Sequence, residues 1–385
     1  VTGVQTCALP ISTATAVNSQ RSFGADVVSR IGAACHGKGK ALQKAVRRDL
    51  TRLMKQLLKD HPGTAARCRQ MAIAANTTML HLLMGWPCDG LGDWPFHPVS
   101  LGGKTYRAQE VLGPQSPLAD ATVTLLPGMS TYVGADITAG IWQCGLASSD
   151  DVSLFVDLGT NGEMVLGNKD QRFIASAPAG PALEGGKLTW GTGSVPGAIC
   201  GVRIERGRAK VRTIDHTVPV GICGTGILEA MAGLVREGLV DETGKLVEPY
   251  FHKGFPLAST LDYQRITLSQ QDIREIQMAK SAIRAGIESL IERSGISRQR
   301  VHQVFLAGGF GYYLDPQKAA VIGLLPADLA ERTTAVGNTS LKGAIGLLTG
   351  AVTLEELQAI AAGAEEIVLG NDEAFQRLYI DYLNF

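Results

Sequence analysis

The chain has 385 residues, of which 45% are hydrophobic and 19% charged, and its 36 Lys and Arg residues balance its 36 Asp and Glu residues. This length predicts two or more domains that each bury a core, and the lack of a basic excess argues against nucleic-acid binding. No apolar run is long enough to span a membrane, and scattered cysteines without a C-x-x-C pair argue against a local metal site or a disulfide framework. We expect a cytoplasmic protein.

The first eleven residues, Val1–Ile11, have neither helix nor strand periodicity and resemble the translation of a sequencing-adapter oligonucleotide. We interpret residues 1–11 as an artefact and exclude them from the fold. We therefore expect that the natural N-terminus is missing.

Residues 12–150 alternate predicted helices with predicted strands. Apolar residues at steps of three and four mark helices over Phe23–Gly32 and Ala41–Lys59. Asn76 is typical of an N-cap, and it follows a predicted strand at Arg69–Ala75. The other predicted elements here are a loop at Trp86–Gly102, a strand at Ala121–Leu126 and a helix at Tyr132–Gly145.

The segment Val152–Gly167 predicts a buried strand, a tight turn and a second strand. Asp157 ends the first strand, where Gly159 and Gly162 allow the backbone to turn sharply. Such a turn offers backbone N–H groups to phosphate oxygens and a carboxylate to Mg²⁺. The pair Asn161-Gly162 is equally the signature of an ordinary β-hairpin, so both interpretations stay open at this point.

The alternation continues to the end of the chain. Ser269 and Asp272 form a capping-box pattern at the start of a long amphipathic helix, Ser269–Ser294, which Gly295 closes. The other predicted elements are strands at Phe173–Ala177, Ala198–Ile204, Ala209–Ile214 and Val301–Leu306, a loop at Pro178–Gly186, and helices at Ile227–Glu237, Pro316–Ile322 and Leu341–Leu348.

Two further glycine-rich turns are candidates for ligand binding. Gly308-Gly309-Phe310-Gly311 lies between a strand and a helix, and it either supports a planar ligand or forms a plain tight turn. Gly221–Gly226 opens a helix, so it either binds an anion or is a simple helix start with Thr225 as its cap. Within it, Cys223 is interpreted as a small buried residue and not as a reactive thiol.

Single ionisable residues have two interpretations each. Glu184 faces a ligand cleft or is a solvated loop carboxylate. Asp136 points at Mg²⁺ or stabilises a helix dipole. Lys342 approaches a phosphate or is a surface lysine. The histidines show no ligand spacing and receive no role.

The order of these segments is more specific than any one of them, and it resembles the actin, heat-shock chaperone and sugar-kinase superfamily. Within that superfamily the chain resembles the reductive activators of corrinoid proteins, over nearly all residues after 20. The matching stretches are Phe23–Ile31, Ala75–Gly85, Tyr132–Ile141, Asp157–Glu163, Ala179–Gly186, Gly221–Ala230, Asp272–Ile287, Phe305–Asp315, Gly323–Pro326 and Gly337–Ala344.

The resemblance implies an α/β fold with two related actin/sugar-kinase-like lobes of mixed sheet, flanked by helices around a nucleotide cleft. The first lobe would span residues 12–150 and the second residues 151–385. The stretches Tyr132–Gly140 and Gly337–Ala344 would be paired helices that connect and hinge the lobes.

The resemblance also implies the activity, which is ATP-dependent reduction of a corrinoid protein from Co(II) to Co(I), with ATP and Mg²⁺ as cofactors. Asp157 would be the catalytic residue and the magnesium ligand. A corrinoid protein would be the partner, and a homodimer is expected. The nucleotide-binding residues would be Gly159, Thr160, Asn161, Gly162, Gly224, Thr225, Gly226, Gly308, Gly309 and Phe310.

The family pattern includes a [2Fe–2S] domain and a first phosphate loop before residue 12, and we expect that both are lost by truncation. On that expectation the chain alone is inactive in electron transfer. Two alternatives remain open: a small-molecule kinase on the same scaffold, and a non-catalytic actin-like scaffold.

Overall fold

The computed structural model describes residues 12–59, 61, 63–308 and 314–385. Its helices are α1 (Val27–Ala33), α2 (Gly39–Lys59), α3 (Thr77–Met84), α4 (Asp89–Gly92), α5 (Ala108–Leu112), α6 (Ala135–Gln143), α7 (Gly224–Arg236), α8 (Tyr250–Lys253), α9 (Gln270–Ser294), α10 (Pro316–Val321), α11 (Thr339–Thr349), α12 (Leu354–Ala362) and α13 (Glu373–Asp381). Its strands are β1 (Gln70–Ile73), β2 (Lys104–Arg107), β3 (Thr122–Leu125), β4 (Val152–Leu158), β5 (Gly162–Gly167), β6 (Arg172–Ala177), β7 (Ala198–Glu205), β8 (Arg208–Thr213), β9 (Gly221–Ile222), β10 (Phe255–Ser259), β11 (Arg265–Leu268), β12 (Val301–Ala307), β13 (Thr333–Gly337) and β14 (Ala364–Glu366).

The chain divides into two compact units, and the first unit contains residues up to Ala147 together with Thr339–Ala364. Its sheet has the order β1-β3-β2, with β1 parallel and β2 antiparallel to β3. The apolar face of α2 packs on this unit's core, where Val46, Leu80 and Val123 are buried. Asn76 caps α3 as predicted, because its side chain accepts a hydrogen bond from the Met79 N–H at 2.8 Å.

The second unit contains Ser148–Asn338 and Glu365–Phe385. Its main sheet has the order β13-β12-β4-β5-β6-β14, in which β13, β12 and β4 are parallel and β4, β5 and β6 form an antiparallel meander. The predicted hairpin at Val152–Gly167 is confirmed as β4 and β5. The predicted capping box is also confirmed, since Ser269 and Asp272 exchange hydrogen bonds at the start of α9.

The predicted lobes, residues 12–150 and 151–385, stay a prediction as domains. By its contacts, the segment Thr339–Ala364 of the second lobe packs with the first unit. The physical reason is a close crossing of α11 on α6. A Cβ placed on Gly343 would lie 2.4 Å from the Ala139 Cβ, and one on Gly346 would lie 2.3 Å from the Trp142 ring. The predicted pairing of these helices is confirmed, although α6 begins at Ala135 and not at Tyr132. Their action as a hinge stays a prediction.

Among the described residues, no helix is both long and apolar enough to cross a bilayer. The cysteines at 88, 200 and 223 are buried, and Cys35 is exposed.

Candidate functional site

Three parallel strands of the second unit end at one edge of the main sheet. In the register of the sheet, Ala307 of β12 lies beside Asp157 of β4 on one side and beside Gly337 of β13 on the other. Because these strands run in the same direction, Asp157, Gly308 and Gly337 share the carboxyl edge. Ligands of open α/β sheets bind outside this edge, so the sheet topology brings two of the predicted ligand-binding turns together.

Gly308 lies directly on the backbone of the β4–β5 hairpin. Its φ is +120°, and a Cβ at this position would lie 2.4 Å from the Leu158 carbonyl oxygen. Its N–H donates a hydrogen bond to the Gly337 carbonyl at 3.3 Å. Glycine is therefore required here by conformation and by close approach. Its contact with Leu158 couples the turn after β12 to the residue that follows Asp157.

Two hydrogen bonds hold the turn between β4 and β5, one within the turn and one to a neighbouring loop. The Gly159 N–H donates to the Asn161 carbonyl at 3.1 Å. The Thr160 hydroxyl donates to the Glu184 carboxylate at 2.6 Å. The Gly159 N–H is thus engaged within the turn, so its predicted bond to a phosphate requires the turn to rearrange.

Glu184 comes from a loop that is anchored elsewhere in the second unit. A short helical turn, Pro181–Glu184, carries it, and Gly185 follows with φ +82°. Downstream, the Thr189 N–H and hydroxyl both donate to the Asp272 carboxylate, at 2.8 and 3.1 Å. Asp272 therefore caps α9 and also fixes the loop that delivers Glu184. Sequence reasoning missed this second role because the capping-box pattern already accounted for the residue.

Gly162 is placed differently from its neighbours in the turn. It is buried, and a Cβ on it would lie 2.9 Å from the Ile283 Cγ1 of α9. The packing of α9 on β5 therefore accounts for a glycine at this position. Its role as a nucleotide-binding residue stays a prediction.

The start of α7 is also governed by packing. Gly224, Thr225 and Gly226 are all buried, and a Cβ on Gly226 would lie 2.2 Å from the Ile199 carbonyl oxygen of β7. Cys223 is 2% exposed, and its thiol donates to the same carbonyl at 3.3 Å. Burial raises the pKa of this thiol, which confirms the interpretation of Cys223 as a small buried residue. Nucleotide binding by residues 224–226 stays a prediction.

The remaining candidates lie in other places. Gly309 and Phe310 fall outside the described residues. Lys342 belongs to α11 in the first unit. In that unit, half-buried Asp136 lies in the first turn of α6 and accepts a hydrogen bond from the Ile137 N–H at 3.1 Å. Burial raises the pKa of the Asp136 carboxyl to about 6.

Asp157 has the chemistry of a magnesium ligand, but the described residues do not form a complete metal site around it. Asp157 is half-buried at the strand end. Among the residues that the structure describes, no group of three His, Cys, Asp or Glu side chains is arranged to hold a metal. Mg²⁺ in nucleotide sites is commonly held by one or two carboxylates together with phosphate oxygens and water. One carboxylate at a predicted phosphate-binding turn is compatible with that pattern.

This chain is similar to known proteins of corrinoid activation. Residues 151–385 match the family model described as the C-terminal domain of RACo, the ASKHA domain, and residues 6–149 match the RACo middle region. The corrinoid activation enzyme RamQ of Eubacterium limosum is 32% identical, over 94% of this chain and 64% of the relative. The [Co(II) methylated amine-specific corrinoid protein] reductase of Methanosarcina barkeri is 28% identical, over 74% of this chain and 56% of the relative.

A solved structure is similar over almost the whole chain. The reductive activator for corrinoid,iron-sulfur protein superposes with a TM-score of 0.89 at 33% identity, and the match covers 96% of this chain and 61% of that protein. The chain thus spans only about three fifths of the length of these relatives. Because the RACo C-terminal model matches more than half of its residues, this chain belongs to the RACo family.

Proposed function

We propose that this chain is the nucleotide-binding part of an activator that uses ATP to return a corrinoid protein from Co(II) to Co(I). The ASKHA description of residues 151–385 supports ATP binding. The names of the relatives, a corrinoid activation enzyme and a Co(II) corrinoid protein reductase, support the reaction and the partner. The likeness extends over nearly the full chain and not over an isolated motif.

The observation that carries the proposal is the register that places Asp157 beside Ala307, with Gly308 against Leu158. The Asp157 carboxylate and the Gly308 backbone therefore lie at the same edge of the sheet. A carboxylate can hold a metal ion there, while the close contact of Gly308 with Leu158 holds the end of β12 against the hairpin that carries this carboxylate. Neither segment alone distinguishes a nucleotide site from an ordinary turn.

The residues of the edge have separable roles in this proposal. The Asp157 carboxylate holds Mg²⁺, which when bound offsets the negative charge of the phosphates. The Thr160 hydroxyl exchanges its present acceptor, Glu184, for a phosphate oxygen. The turn therefore has two hydrogen-bonded arrangements, one closed on itself and one open to the ligand.

The energy available from such an exchange is limited. Coupling between two sites amounts to about 1–3 kcal/mol, which corresponds to ~40–130 mV for one electron. A larger change in the cobalt potential would need further chemistry, such as removal of a cobalt ligand. In this proposal the electron comes from the [2Fe–2S] domain that the family pattern implies, and not from residues of the second unit.

Asp157→Ala tests the proposal, with Asp151→Ala as its matched control at the opposite end of β4, where the carboxylate is exposed and 4.0 Å from His302. We expect Asp157→Ala to weaken Mg-ATP binding about 30-fold, because a charge-assisted ligand is worth about 2 kcal/mol, and Asp151→Ala to bind normally. Calorimetry with Mg-ATP measures the binding. The Co(I) absorption of a corrinoid protein, with a low-potential chemical reductant as electron donor, measures the reaction.

Unchanged Mg-ATP binding and ATP-dependent Co(I) formation in Asp157→Ala would contradict the assignment of this turn. Transfer of the γ-phosphoryl group to a small molecule, without Co(I) formation, would favour the kinase alternative. The homodimer stays a prediction, which sedimentation velocity measures directly.

A further inference from the structure

The strongest unexplained feature of the first unit is a basic groove along α2. The groove has a volume of about 710 Å³ and lies between α2 and the segment 112–115. Twelve residues line it, and six of them are cationic while none is acidic. The six cations are Lys40, Lys44, Arg47, Arg48, Arg52 and Lys55. Although the whole chain has no net charge, the charged residues on this face of α2 are all positive.

This arrangement of charge does not stabilise the helix that carries it. Lys40, Lys44, Arg48 and Arg52 follow each other at intervals of four residues, and like charges at that spacing repel across each turn. The first turn of α2 contains Lys40 and no acidic residue, so a cation also lies at the positive end of the helix dipole. The pattern therefore needs an explanation other than local stability.

Five of the six cations of the groove form no ion pair within the part of the unit that the structure describes. The exception is Arg52, which pairs with Asp49 at 3.4 Å. Asp49 is the single acidic residue of α2, and it is buried and also accepts from the Ser19 N–H at 2.8 Å. Arg47 is instead fixed by backbone carbonyls, with bonds to Leu83 at 3.3 Å and Glu110 at 2.9 Å.

Four kinds of anionic partner have this chemistry, and the structure argues against three of them. A membrane surface would engage the apolar side of a basic helix, but that side of α2 packs into the unit's core through Val46, Leu50 and Met54. Single-stranded nucleic acid would use stacking aromatic rings, and the groove lining contains none. A small anion would occupy a fraction of a face that runs from Lys40 to Lys55, about 22 Å along the helix axis.

We infer that the basic groove of α2 is the docking surface for an acidic protein face. Resting on the proposed function, that face belongs to the corrinoid protein that is activated. An activator has to dock, promote reduction and leave, and opposite charges at the rim of an interface accelerate encounter without requiring a tight complex. None of these cations is among the residues proposed to bind nucleotide, so we expect nucleotide binding to be independent of them.

The test is the triple charge reversal Lys40→Glu, Lys44→Glu and Lys55→Glu. These side chains are exposed and form no ion pair among the described residues, so we expect the variant to keep the fold. The matched control is Lys253→Glu, Arg265→Glu and Arg300→Glu, which makes the same change in net charge at exposed positions of the second unit. The probes are a corrinoid iron–sulfur protein and a methylated amine-specific corrinoid protein, the two kinds that the relatives' names specify.

We expect the α2 variant to bind the corrinoid protein on the order of 30-fold more weakly, mainly through a slower association rate and with a flatter salt dependence. The control variant and the wild type should bind alike, and all three should bind Mg-ATP equally. Surface interferometry at low and high salt measures the association, and calorimetry measures nucleotide binding.

Each other result has a distinct meaning. Equal corrinoid-protein binding by all three proteins overturns the docking surface and leaves the proposed function standing. A wild type that binds neither probe contradicts the proposed function, and with it the named partner. If the α2 reversal abolishes binding to anionic vesicles or to DNA but leaves corrinoid-protein binding intact, the groove serves a membrane or a nucleic acid instead.

Discussion

Two glycine-rich turns of the second unit have similar sequences but different physical reasons for their glycines. After β12, Gly308 adopts φ +120° and lies against the carbonyl of Leu158, the residue that follows Asp157. At the start of α7, Gly226 lies within a helix, and the β7 carbonyl of Ile199 excludes any side chain. The first glycine joins two candidate ligand-binding turns, whereas the second lets a helix approach a strand. A run of glycines therefore indicates close backbone approach, and only the fold shows what is approached.

Gly308→Ala should have the largest effect. The substitution places a Cβ 2.4 Å from a backbone oxygen in a conformation that alanine avoids, and strain and overpacking each cost about 1–3 kcal/mol. We expect a loss of about 4 kcal/mol in the free energy of unfolding, together with weaker Mg-ATP binding by the protein that remains folded. Urea denaturation and calorimetry measure the two quantities.

The control for this variant is Gly193→Ala, where an added Cβ meets no heavy atom within 4 Å. That change should alter stability by no more than about 0.5 kcal/mol. Normal Mg-ATP affinity in folded Gly308→Ala would contradict the coupling between this turn and the hairpin.

Gly226→Ala should have a smaller effect and affect stability alone. Alanine is favoured over glycine inside a helix by about 1 kcal/mol, but here its Cβ would lie 2.2 Å from the Ile199 oxygen. We expect the clash to prevail, with a net loss of about 2 kcal/mol in chemical denaturation. Gly32→Ala in α1, where no atom lies within 4 Å, should instead be neutral or stabilising.

Mg-ATP affinity of Gly226→Ala gives the sharper result. If the start of α7 acts only in packing, the folded variant binds nucleotide like the wild type. A clear loss of affinity at unchanged fold would support the predicted role of residues 224–226 in nucleotide binding.

The sequence predicts well the elements whose pattern is local. The alternation in Val152–Gly167 and the capping box of α9 depend on near neighbours, and both are confirmed. β2 was missed because Lys104–Arg107 is a mostly exposed edge strand with no apolar alternation. The packing of Thr339–Ala364 with the first unit has no local pattern, because it depends on the close contact of Gly343 with Ala139, 204 positions earlier in the chain. Only the family resemblance implied that these two helices pair.

The candidate site was only partly accessible to sequence reasoning. Asp157 was found because it ends a strand before a glycine turn. The bond from Thr160 to Glu184 was not found, since 24 residues separate the two and Glu184 alone has no distinguishing pattern. A hydrogen bond between two exposed loops leaves no periodicity for a sequence to reveal.

The hydrogen bond from Thr160 to Glu184 provides the smallest expected effect, and it tests the role of the hairpin turn in nucleotide binding. Thr160→Val keeps the shape of the side chain but removes the hydroxyl that donates to Glu184 at 2.6 Å. We expect Mg-ATP affinity to fall about five-fold, which corresponds to about 1 kcal/mol for one hydrogen bond, with stability almost unchanged. Glu184→Gln should act in the opposite direction, because it weakens the acceptor that competes with the phosphate and removes a negative charge beside it.

The double variant separates these two causes. If Glu184 opposes the nucleotide only by holding the Thr160 hydroxyl, its substitution has no effect once that hydroxyl is gone, and the two changes are non-additive. If its charge repels the phosphates directly, Glu184→Gln still improves affinity in the Thr160→Val background, and the benefit decreases as salt screens the repulsion. Additive effects at both low and high salt would show that the two residues act independently of each other. The proposal that the Thr160 hydroxyl exchanges its bond to Glu184 for a bond to a phosphate oxygen would then be wrong.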